Sequence, residues 1–76
     1  GDHGNAELDF NQAIIRDPDY KEAYAARAVS RTHMSKFVGA SEDIDKAVEL
    51  GIDRASLEAN IKDLLDLLRA AAQSRP

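Results

Sequence analysis

The sequence predicts an all-α chain: four helices, paired as antiparallel helical hairpins stacked as an α-solenoid. Three observations carry this. The first is internal self-similarity. Ala6, Asp9, Phe10, Ala13 and Ile14 are matched by Ala40, Asp43, Ile44, Ala47 and Val48, each pair 34 residues apart. Stretches that recur at such a period are stacked modules, whose apolar faces are buried only by their neighbours. The second is the source of the apolar surface. Alanine and leucine dominate, tryptophan is absent, and only Phe10, Tyr20, Tyr24 and Phe37 are aromatic, which favours helix over sheet. The third is punctuation: Pro18 and Gly51 fall where the two matched stretches end.

The first helix is expected from about His3 to Asp17, with Ala6, Phe10, Ala13 and Ile14 on one face. Asp17-Pro18 stops it, because a residue before proline is pushed out of the helical region. Asp19, with Glu22 three residues on, has the capping-box pattern and opens a second helix over about Tyr20 to Met34. Ala23, Ala25, Ala26 and Ala28 spread small side chains around that helix, so neighbours can approach from more than one side. Tyr24 and Val29 add bulk, and Lys21, Glu22 and Arg31 are expected to face water.

The third helix is expected over about Lys36 to Leu50. Its stripe is Phe37, Ala40, Ile44, Ala47 and Val48, and Glu42, Asp43, Asp45, Lys46 and Glu49 form a solvated face. Gly51 suits the left-handed position after its end. The short link before it makes the second and third helices an antiparallel hairpin. The fourth helix runs from about Arg54 to Ala72, capped by Asp53, with a stripe of Leu57, Ile61, Leu64, Leu65 and Leu68. Glu58 and Lys62 stand at ion-pair spacing on it. Residues 73–76 read as a disordered tail.

A chain of 76 residues holds at most one domain, and one so small buries only about 60% of its unfolded surface. The net charge of −4 argues against phosphate backbones and anionic lipids, so neither a nucleic acid nor a membrane is expected as partner. No apolar run approaches the ~20 residues of a membrane span, and no signal peptide opens the chain. Gly1 in place of an initiating methionine suggests a piece of a longer protein. The absence of cysteine removes disulfides, thiolate catalysis and Cys-type zinc sites, but leaves the compartment open, with a slight lean to the cytoplasm.

Nothing points to an enzyme, a cofactor or a metal. His3 and His33 have no second ligand one turn away, so His33 reads as a groove or surface residue. The acidic residues of the third helix lack the alternating ligand loop of a calcium site. The serines form no nucleophile turn, and the four glycines form no phosphate cradle.

The 34-residue period, the helix–turn–helix units and the small–aromatic–small–proline punctuation of Ala6, Phe10, Ala13 and Pro18 resemble the tetratricopeptide repeat. By that resemblance residues 1–18 are the second half of a repeat, residues 21–54 one full repeat, and residues 55–72 a capping helix, within a domain over 1–72. Tyr24 stands at the bulky opening position and Ala28 at the small crossing position. Phe37, Ala40, Ile44 and Ala47 fall on the second helix's signature positions. Arg27 and Arg31 depart from the leucine and tyrosine of the family, and Ile52 stands where a repeat ends in proline.

The resemblance implies a non-catalytic interaction module with a concave groove for a partner peptide or helix. That groove would be lined by Glu22, Ala25, Ala26, Val29, Thr32 and His33. Glutamate, alanine and valine replace the lysine, asparagine and arginine of the family's carboxylate clamp, which argues against that function here. Arg27 and Arg31 are open to two readings: stems that cover neighbouring helices while the charges reach water or a carboxylate, or a basic site for an acidic partner. The first helix lacks the first half of its repeat, so Leu8, Phe10, Ile14 and Ile15 are left as an association surface. Upstream repeats, a second copy or a ligand helix could cover it. The alternative function is therefore self-association, as a homo-oligomer, through the first helix and the leucine-rich last one.

Overall fold

The computed structural model describes residues 2–73, which form four α-helices and no strand. They are α1 (His3–Arg16), α2 (Lys21–His33), α3 (Phe37–Glu49) and α4 (Arg54–Gln73). Every boundary lies within a residue of the sequence expectation. α4 includes Gln73, and the remainder of the expected tail, residues 74–76, lies outside the described residues.

α2 is the central helix: it packs against α1 on one side and α3 on the other, and α4 lies across α2 and α3. Its alanines make this geometry available. Ala23 and Ala28 are buried, Ala25 and Ala26 half-buried, so three neighbours approach one backbone. The core is correspondingly small in side-chain volume, with Ala28 and Ala47 fully buried against Leu57 and Ile61 of α4. Tyr24, Val29, Ile44, Ile52 and Leu65 pack around them. This packing is compatible with a helical repeat.

Local chemistry sets the turns. Asp17, Pro18, Asp19 and Tyr20 form a β-turn in which the Tyr20 N–H donates to the Asp17 carbonyl at 3.0 Å, with proline second, where its fixed φ belongs. The Asp17 carboxylate accepts from the Asp19 N–H at 3.1 Å, and the Tyr24 hydroxyl donates to the Pro18 carbonyl. The expected capping box is absent: the residue preceding α2 is Tyr20, and no side chain caps that end. Asp17 rather than Asp19 organises the turn, because the chain meets α2 one residue later than the pattern implied.

α3 ends in a Schellman motif, with Gly51 at φ 117° and the Ile52 N–H on the Ala47 carbonyl at 2.9 Å. α2 ends the same way, although a serine holds the left-handed position: Ser35 has φ 60°, and the Lys36 N–H donates to the Arg31 carbonyl at 2.8 Å. Asp53 caps α4 as expected, its carboxylate accepting from the Ser56 N–H and hydroxyl. Those two bonds hold the Asp53 carboxyl below the usual range. The polar side of α4 is paired one turn out of the expected phase, Arg54 with Glu58 and Lys62 with Asp66. Glu58 is drawn toward Arg54, which also bonds Asp45 of α3 at 3.0 Å.

Candidate interaction site

Two features of the α1–α2–α3 layer stand out, a polar network on one side of α2 and an open apolar hollow on another. The network centres on Asp43. Sequence patterning assigned it to a solvated face, yet it is 2% exposed. Arg27 grips both of its oxygens, Nε to Oδ2 at 2.9 Å and Nη2 to Oδ1 at 2.6 Å, and Arg31 Nη1 reaches Oδ2 at 3.0 Å. Arg31 Nε also donates to Glu7 at 2.9 Å, and Arg27 Nη1 to the Asn11 side chain at 2.8 Å, so the network spans three helices.

Both arginines are therefore committed to internal carboxylates, and Arg31 does not face water as expected. Hydrogen bonding to Asp43 pushes the Arg27 guanidinium further up, fixing its charge. Hydrogen bonding from Arg31, with help from Lys36, holds the Glu7 carboxyl below the usual range against the opposing effect of burial.

The hollow lies between α1 and α2 and holds about 420 Å³. Phe10, Ala13, Tyr20, Ala23 and Ala26 line it, and Asp9 and Glu22 add two carboxylates to the lining. Its size falls in the roughly 300–1,000 Å³ range of ligand pockets. Neither Asp9 nor Glu22 has a hydrogen-bonding or ionic partner among the described residues.

The expected groove residues separate in the structure. Glu22 and Ala26 line the hollow. Ala25 and Val29 pack against the core beside α4. Thr32 lines no groove: it is 1% exposed and its hydroxyl donates to the Ala28 carbonyl at 2.8 Å, because the α2 turn that carries it faces the protein interior. The His33 ring stacks on His3 with centroids 4.0 Å apart, and burial, then the neighbouring His3, lower its pKa.

The expected association surface separates as well. Leu8 and Ile15 are exposed, at 60% and 71%, on one side of α1, whereas Phe10 and Ile14 are half-buried. Phe37, expected in the stripe of α3, is 54% exposed at its N-terminal end. Leu57 and Ile61 are buried, Leu64 and Leu65 half-buried, and everything beyond Leu65 on α4 is exposed.

Sequence reasoning passed over Asp9, Ala13, Tyr20 and Ala23 as members of one site. The signal was present in the repeat itself, since Asp9 is the counterpart of Asp43. No helix of the described residues is long and apolar enough to cross a membrane. No family model and no solved structure matches the chain. Over 59 residues, 78% of the chain, the sequence is 32% identical to RNA polymerase II-associated protein 3 of Xenopus tropicalis, and the chain spans only 9% of the length of that protein. The chain is thus a distant relative of a polymerase-associated protein, and its all-helical structure fits a tetratricopeptide-like fragment.

Proposed function

We propose that this chain is a non-catalytic interaction module, a tetratricopeptide-type piece of α-solenoid that holds an apolar segment of a protein partner in the hollow between α1 and α2. The observation that carries this is the hollow, an open apolar concavity with two carboxylates in its lining and no described residue filling it. Sites of this kind, apolar with few polar groups, are the usual form of a recognition cleft. The distant likeness to a polymerase-associated protein agrees with a role among proteins. The groove once expected along the whole of α2 reduces to its Glu22 and Ala26 portion.

The test is selection of peptides from a random displayed library on the 76-residue chain, followed by Ala26→Trp, which fills the hollow. Selected peptides should bind the native chain and lose binding to the variant, with the helical circular dichroism retained. Peptides that bind both forms equally would remove the proposal.

A second reading, self-association, is favoured by one observation: Leu8 and Ile15 present two large apolar side chains two turns apart on the same side of α1. Leu67, 69% exposed on α4, is a further candidate for that contact.

A further inference from the structure

Two interfaces of the same kind lie wholly inside the chain, α1 with α2 and α3 with α4, because the 34-residue step that carries α1 onto α3 carries α2 onto α4. The first is joined at three levels. Arg27 donates to Asn11 at 2.8 Å, Arg31 to Glu7 at 2.9 Å, and the His33 ring stacks on His3 with centroids 4.0 Å apart. The residues 34 positions on give the matching levels of the second: Ile61 with Asp45, Leu65 with Ser41, and Leu67 with Phe37.

The second interface is joined at one end. Arg54 holds Asp45 at 3.0 Å, and Ile61 is buried with Leu57 and Ala47. At the middle level Ser41 is exposed, where its counterpart Glu7 is half-buried. At the last level Phe37 is 54% exposed and Leu67 69%, although His3 and His33 in the matching places are both half-buried.

We infer that α4 is a strap with a second position, in which its last turns close on α3 and Leu67 packs on Phe37 as His33 packs on His3. Three features favour this. Two large apolar side chains stand at the places that the first interface brings into contact, and withdrawing both from water drives the closure. Ser41, at the level between them and the core, is small and offers no bulk to hold the helices apart. The pivot is already seated: Leu57 and Ile61 anchor the first half of α4, whereas residues 66–73 are all exposed, so the last turns can swing without breaking the core. The open position presents Phe37, Leu67 and Leu68 to water and the closed one withdraws them, so the strap governs whether this end of the molecule offers an apolar surface. The inference is independent of the hollow and of the function proposed for it.

The test is nuclear magnetic resonance on the 76-residue chain. The Leu67 methyl protons should show an Overhauser contact with the Phe37 ring and an upfield ring-current shift. Phe37→Leu should abolish that shift with the helical circular dichroism retained. The absence of native cysteine allows a second measurement. In a glutathione buffer, Phe37→Cys with Leu67→Cys should form a disulfide about tenfold more readily than Val38→Cys with Leu67→Cys, since the bond needs Cα atoms within roughly 7 Å. Either a missing Overhauser contact or equal closure of the two cysteine pairs would overturn the inference. A contact that strengthens with protein concentration would belong to two copies of the chain and overturn it as well.

Discussion

Asp43 shows how one residue can link three helices. Removing a carboxylate from water costs several kcal/mol unless the bonds it makes replace its hydration. Here both oxygens are taken by guanidinium groups that are themselves only 16% and 21% exposed at the side chain. Deleting the carboxylate leaves the Arg27 guanidinium with no bonded carboxylate, beside an Arg31 that keeps only Glu7 as its carboxylate partner. Asp43→Ala is therefore expected to cost about 3 kcal/mol, against a total of roughly 5 kcal/mol for a domain of this size. Urea unfolding should show the midpoint fall by more than half. A shift of a tenth or less would mean the arginines find other partners.

Ser35 works in the opposite sense. Its φ of 60° places a side chain where L-residues lose roughly 1–2 kcal/mol to steric crowding. Gly51 performs the same turn at the end of α3 without that cost. Ser35→Gly should stabilise the chain by about 0.5–1 kcal/mol in the same urea experiment, the gain being trimmed by the greater entropy of glycine in the unfolded state. A loss of stability would assign Ser35 a contact beyond the turn.

Among the elements, α1 and α4 are both covered on one side only, with different consequences. The apolar stripe of α4 is buried or half-buried as far as Leu65 and exposed beyond it. The apolar residues of α1 divide between two surfaces. Phe10 and Ala13 belong to the hollow, Leu8 and Ile15 to the outer side. If the outer side drives self-association, Leu8→Lys with Ile15→Lys should abolish concentration-dependent mass in sedimentation experiments. Stability should change by no more than about 0.5 kcal/mol, as for other exposed sites. A strict monomer at millimolar concentration before any substitution would remove the self-association reading.

For the molecule as a whole, pH is the condition that tests several of these contacts together. Burial and the stacked His3 depress the pKa of His33, and Arg31 with Lys36 depresses that of Glu7. In each case the unfolded chain binds the proton more readily than the folded one, so acid favours unfolding. The His33 contribution is present above the ordinary imidazole value of about 6.5 and is lost as pH falls from that value through the depressed one. The Glu7 contribution persists to lower pH and is lost as pH falls from about 4.3 through the depressed value. Melting temperature should thus decline in two stages from pH 8 to pH 3, and His33→Asn should remove the upper stage alone. A flat profile between pH 7.5 and pH 5.5 would dismiss the histidine contribution.

The helices, their ends and the Gly51 and Asp53 caps were legible because each depends on neighbours in sequence: periodic apolar residues, a proline after Asp17, an acid before Ser56. The site was legible only in part. Glu22, Ala26 and Phe10 were singled out, but as members of two separate surfaces, and Thr32 was placed in a groove from which its burial removes it. Side-chain burial follows from what lies across the helix interface, and periodicity along one helix carries no account of that.

By itself, the order of residues determined the number and extent of the helices, the 34-residue correspondence of α1 with α3, and the small-sided character of α2. Tertiary structure alone decided that one aspartate of the repeated pair is buried beneath two arginines while the other opens on a hollow. The reason is physical. A carboxylate enters the interior only where charges on another segment replace its water, and α2 brings those charges to α3 but presents alanines to the hollow beside α1.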